Sequence, residues 1–73
     1  MRKEYSWTIT MSEEVDFEVL YDDYQETDGD VEQAVDNYIE GCEDVIYYTI
    51  TSDVVEEIKK DFKDWLETKE KEN

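Results

Sequence analysis

The chain has 73 residues, with 23 Asp and Glu against seven Lys and Arg and a formal charge of −16 at pH 7. A chain this short can build only one small and marginal core. Its single cysteine excludes an internal disulfide, and the absence of histidine excludes both a zinc site of ordinary ligand type and a His-based nucleophilic triad.

The N-terminal MRKEYSW is charged and lacks the apolar stretch of a secretory signal, and no apolar run approaches the roughly eighteen residues that cross a bilayer. A cytoplasmic protein is expected. From Glu4 to Met11, Tyr5, Trp7, Ile9 and Met11 alternate with polar residues at the period of a half-buried strand. The next segment is ambiguous, because Val15, Phe17, Val19 and Tyr21 also alternate. Sliding the sequence by 41 positions sets Trp7 to Thr10 against Tyr48 to Thr51, and Phe17, Tyr21 and Tyr24 against Ile58, Phe62 and Trp65. The matched apolar positions are four and seven apart, a helical spacing. Residues 13–25 are therefore expected as a helix capped by Ser12, with Phe17, Leu20, Tyr21 and Tyr24 inward.

Asp30 reads as the N-cap of a second helix, Val31 to Glu40, which buries Val31, Ala34, Val35, Tyr38 and Ile39 and stops at Gly41. Asp44 to Thr51, DVIYYTIT, is rich in β-branched and aromatic residues and is expected as a second strand covered on both faces. Ser52 then caps a helix with one apolar stripe, Val54, Val55, Ile58, Phe62, Trp65 and Leu66, and with Lys63, Lys69 and Lys71 toward its end. The expected fold is α+β, one small domain over residues 1–73 in the order β-α-α-β-α. A two-stranded sheet packs on helices, and residues 67–73 form a frayed tail. So small a sheet would also accept a homodimer partner.

Charge is distributed unevenly. Between Glu4 and Ile58 there are eighteen acidic residues and no Lys or Arg. Like charges one helical turn apart cost a few tenths of a kcal/mol each, and excess charge strains the compact state. A requirement other than stability is thus implied for these carboxylates. The candidates for a binding face are Glu13, Glu14, Asp16, Glu18, Asp22, Asp23, Glu26, Asp28, Asp30, Glu32, Asp36 and Glu40, continued by Glu43 and Asp44. Among the tyrosines, Tyr21, Tyr24, Tyr38, Tyr47 and Tyr48 divide between core positions and one or two anchors at the edge of that face.

Other chemistry is poorly served. Gly29 and Gly41 alone build no phosphate-binding loop. If Gly29 took the sixth position of a calcium loop, Tyr24 and Val35 would fall on the first and twelfth, where acidic ligands are needed. No enzyme activity, metal or cofactor is expected. Direct binding to nucleic acid or to an anionic membrane is opposed by charge. The complementary partner is a basic protein.

In size, acidity and lack of internal basic residues, the chain resembles the small inhibitors that bacteriophages and mobile elements encode against host defence: DNA-mimicking anti-restriction proteins, glycosylase inhibitors and anti-CRISPR proteins. The resemblance lies in composition, without a shared motif. It implies a cytoplasmic protein that occupies the basic nucleic-acid-binding site of a Cas complex or restriction enzyme. The alternative is an acidic interaction module, such as an antitoxin, an adaptor or a regulator of transcription or nucleoid proteins, which neutralises a basic partner without imitating DNA.

Overall fold

The computed structural model describes residues 1–8 and 10–71. Two strands, β1 (Arg2–Ser6) and β2 (Ser12–Asp16), are followed by four helices: α1 (Phe17–Glu26), α2 (Val31–Glu40), α3 (Asp44–Thr49) and α4 (Ser52–Lys71). The architecture is a small α+β fold with a two-stranded sheet against helices, as expected, but its order is β-β-α-α-α-α rather than β-α-α-β-α. None of the described helices is long and apolar enough to cross a membrane.

The sheet is a local hairpin. Lys3 lies opposite Val15 and Tyr5 opposite Glu13, which puts the buried Tyr5 and Val15 on one face. Residues 7–11, expected to continue the first strand, form the connection. Here Trp7 N–H donates to Met11 O at 3.3 Å and Met11 N–H to Thr8 Oγ1 at 2.9 Å. Ile9, part of the expected alternation, lies outside the described residues. The segment 12–16, expected to open a helix, instead takes the strand side of its ambiguous pattern, because its partner is one short connection away and closure costs little entropy. Ser12 consequently caps no helix. Asp16 does, its carboxylate accepting from Glu18 N–H at 3.0 Å.

The larger correction concerns residues 44–51. These form no strand: Asp44–Thr49 is the short helix α3, with Ile46 its one buried residue, and Ile50 and Thr51 lead into α4. Pairing this segment with residues 4–11 would close a far longer loop than the hairpin does. Its backbone groups are satisfied locally instead. Glu43 O accepts from Ile46 and Tyr47 N–H at 2.9 and 3.0 Å, and Ile46 O from Ile50 N–H at 3.0 Å. The high β-propensity yields to this arrangement, as a context-dependent propensity can. The indole N–H of Trp7 donates to Thr49 Oγ1 at 3.0 Å and ties α3 to the hairpin connection.

The remaining boundaries follow the sequence closely. Asp30 caps α2 through Gln33 N–H at 3.0 Å, and Gly41 ends it. The turn between α1 and α2 is a Schellman motif: Asp28 N–H reaches Gln25 O at 3.3 Å and Gly29 N–H reaches Tyr24 O at 3.0 Å, with φ of 58° at Asp28 and 89° at Gly29. At the start of α4 the cap is Thr51, not Ser52, since Val54 N–H donates to Thr51 Oγ1 at 3.4 Å. α4 runs through residues 67–71, which were expected in a frayed tail; residues 72 and 73 lie outside the described residues.

The core forms where α4 packs on α2, α1 and the hairpin. Val54, Ile58, Phe62 and Leu66 of its expected stripe are buried, with Val55 and Trp65 half-buried beside them. Phe62 is fully enclosed and meets Phe17 edge-on at 5.9 Å, Tyr24 edge-on at 5.8 Å and Trp65 stacked at 5.7 Å between ring centroids. Such pairs add about 0.5–1.5 kcal/mol each beyond the area they bury.

A polar lock joins β1 to the same helix. Asp61 Oδ2 accepts from Lys3 Nζ at 2.6 Å and from Tyr5 OH at 2.8 Å. Burial pushes the Asp61 carboxyl up, but the bonds from Lys3 and Tyr5 together outweigh it and hold the group below the usual carboxylate range. Burial, reinforced by the bond to Asp61, pushes the Tyr5 hydroxyl up, so it remains a donor.

Two outcomes follow. Phe62→Ala should cost about 3–5 kcal/mol from a total of roughly 4–11 kcal/mol for a chain of this length, leaving a melt by circular dichroism that is largely lost at 37 °C. Asp61→Asn should lower the urea midpoint most near neutral pH. A depressed carboxyl stabilises above its unfolded value and loses that contribution as pH falls through its folded value, so the gap to the native chain should close in acid.

Candidate acidic interface

The structure distributes the twelve candidate carboxylates over four elements. Glu13, Glu14 and Asp16 lie in β2, and Glu18, Asp22, Asp23 and Glu26 in α1. Asp28 and Asp30 form the turn, and Glu32, Asp36 and Glu40 belong to α2. They do not form one uniform face. Asp16 and Asp30 are helix caps, and Asp28 supports the left-handed turn position, so these three serve the fold. The Asp16 carboxyl is held below the usual range first by the Glu18 N–H bond and then, against some desolvation, by Arg2 at 3.3 Å. Glu14 lies 3.6 Å from Arg2, and Glu18 is 3.9 Å from the N-terminal ammonium.

Six of the others make two regular rows. Glu18, Asp22 and Glu26 stand four residues apart along α1, and Glu32, Asp36 and Glu40 do the same along α2; all six are exposed. The α1 row lies opposite the side that buries Phe17 and Leu20, whereas the α2 row flanks the buried side of its helix, next to Ile39 and toward α4. Four residues of helix rise about 6 Å. One DNA strand carries a phosphate per roughly 3.4 Å of axis, so each row has about half that linear charge density. Asp36 has a cation nearby, Lys59 Nζ at 3.9 Å, and that lysine also reaches Glu56 at 3.7 Å. Among the described residues, no Lys, Arg or N-terminal nitrogen lies within 4.0 Å of Asp22, Glu26, Glu32 or Glu40.

Glu13 and Asp23 turn away from these rows into a shallow cleft of about 510 Å³, where Glu43, Tyr38 and Cys42 also lie. Asp23 is pushed above the usual range by burial and then by Glu26 and Asp22. Burial, with Glu13 and Glu43 behind it, pushes the Cys42 thiol up, and its Sγ donates to Tyr38 O at 3.4 Å. A protonated, half-buried thiol is a weak nucleophile, so Cys42 acts here as packing at the end of α2.

The tyrosines separate. Tyr21, Tyr24 and Tyr38 pack against the core. Tyr47 and Tyr48 of α3 do not: they are 43% and 79% exposed, beside Val45 at 48%, with their rings edge-on at 5.0 Å. The sequence reading puts Val45 and Tyr47 in a strand and includes Tyr47 and Tyr48 among the possible anchors without singling them out. The patch's only sequence signal is the doubled tyrosine after Gly41-Cys42-Glu43-Asp44, a helix stop followed by an acidic helix start. Comparison with known proteins finds no match, whether to a family model, to a curated protein or to a solved structure.

Asp23→Asn tests the electrostatic strain. A carboxyl raised on folding costs stability above its unfolded value, so the variant should have a higher urea midpoint than the native chain at pH 7, a gain that vanishes as pH falls below the ordinary aspartate range.

Proposed function

We propose that this chain is an inhibitor of the phage or mobile-element type that occupies the basic nucleic-acid-binding site of a host defence effector, such as a Cas complex or restriction enzyme, with carboxylates standing where phosphates would. The observation that carries the reading is the pair of exposed acidic rows on α1 and α2. They are held on regular helices, stand exposed and have few cations near them. Each i, i+4 pair within a row destabilises its own helix, which is intelligible if a partner supplies the missing positive charge. Arg side chains that read DNA bases or phosphates are suited to charge-assisted bonds with carboxylates at such spacing. Attraction at a distance would raise the association rate before any contact forms. The protein works in the cytoplasm of the host cell in this reading and needs no cofactor.

Binding and folding should respond to salt in opposite directions. Raising salt from 0.01 M to 0.15 M shortens the screening length from about 30 Å to about 8 Å. The melting temperature of the free chain should rise as self-repulsion is screened, while affinity for the effector falls. Replacing Asp22, Glu26, Asp36 and Glu40 together by Lys should weaken inhibition at least about tenfold without unfolding the chain, since none caps a helix. The decisive measurement is competition: an effector captured by this protein is challenged with its duplex DNA. Displacement is expected; a stable ternary complex with DNA would leave only the acidic-module reading.

A further inference from the structure

Tyr47 borders a second cleft, of about 430 Å³, whose other walls are Gln33, Asp36, Ile39 and Glu40 of α2 and Val55 of α4. We infer that this cleft, together with the adjacent Tyr48 ring, is the anchor point of the interface and that it receives an arginine side chain of the partner. The inference rests on the reading above in one respect, that the partner is basic.

The chemistry of the walls is selective. Ile39 and Val55 give an apolar floor that suits the three-carbon stem of an arginine, which commonly lies along apolar surface with its head in water. Tyr47 supplies an aromatic face against which a guanidinium stacks, and the edge-on Tyr48 extends that aromatic surface outward. Glu40, with no cation within 4.0 Å among the described residues, and Asp36, shared with Lys59 at 3.9 Å, supply the carboxylates. A lysine would satisfy the charge but would stack poorly, because its ammonium is compact and strongly hydrated. An uncharged apolar partner would leave both carboxylates to be desolvated without compensation. Exposed aromatics beside a carboxylate row also match the composition of interface centres, where Tyr and Arg are enriched and tend to face one another.

The cleft runs along α2 and includes two acids of its row, so one partner can engage both. Tyr47 itself is dispensable to the core: the buried residue of α3 is Ile46.

The test uses two probes of equal charge, an arginine nonapeptide and a lysine nonapeptide, titrated into the full chain at 0.15 M salt with amide shifts followed by NMR. The arginine peptide should bind roughly fivefold tighter and should shift residues 36, 39, 40, 47 and 55. Tyr47→Ala should erase the preference, lowering arginine-peptide affinity more than lysine-peptide affinity, and Tyr47→Phe should keep it. Circular dichroism of both variants should match the native chain. Equal affinity for the two peptides in the native chain, or a preference that survives Tyr47→Ala, would overturn the anchor and leave the charge-based reading standing. Conversely, if the effector binds DNA and this protein together while arginine selectivity persists, mimicry fails and the anchor remains. Failure of both peptides to bind overturns both.

Discussion

Phe62 is the point at which the separate parts of this chain become one structure. Its ring is met by Phe17, at the junction of β2 and α1, by Tyr24 near the end of α1 and by Trp65 one turn along its own helix. The Asp61 lock lies on the residue next to Phe62, so a single turn of α4 both fills the core and fastens β1. Everything outside this turn, including the two acidic rows, is presented by elements that owe their position to it.

The carboxylates divide by what they do for the fold. Asp16 and Asp30 cap helices, and Asp61 receives two bonds from β1; each of these would be a poor choice for contact with a partner because its oxygens are already committed. Asp22, Glu26, Glu32 and Glu40 have no such commitment among the described residues. They raise the energy of the free chain while remaining accessible. This separation explains how a protein of such charge keeps a folded core: the acids at the N-termini of helices are stabilising, and the repulsive ones stand out in water where the dielectric is high.

Much of this was legible in the amino-acid sequence, and the failures are instructive. The apolar stripe of α4, the bounds of α2 with Asp30 and Gly41, and the inward set Phe17, Leu20, Tyr21 and Tyr24 all follow from helical periodicity and capping, which are local. The strand partners do not. Val15 and Phe17 fit a strand and a helix equally well, and the structure uses both, changing at Asp16. DVIYYTIT has the composition of a buried strand, yet whether it becomes one depends on a free sheet edge near enough to pair, which no window of sequence encodes. The acidic candidates stand out in the sequence as a group, but the fold-serving members can be told from the free ones only once the caps are seen. Tyr47 and Tyr48 are not singled out, for the same reason that 44–51 reads as a strand.

The long helix also makes the molecule electrically lopsided. From Lys59 to the C-terminus, five lysines face five acidic residues, and the three N-terminal residues carry Arg2 and Lys3. The excess negative charge therefore sits on the hairpin's second strand, α1, α2, α3 and the first turns of α4. Val55 beside the Tyr47 cleft and Lys71 at the far end of α4 are sixteen residues apart, about 24 Å of helix at 1.5 Å per residue. In the field of a positively charged surface such a body experiences a torque as well as an attraction. It would arrive with its acid-rich helices leading and the neutral half of α4 trailing, already turned before the first side chains meet.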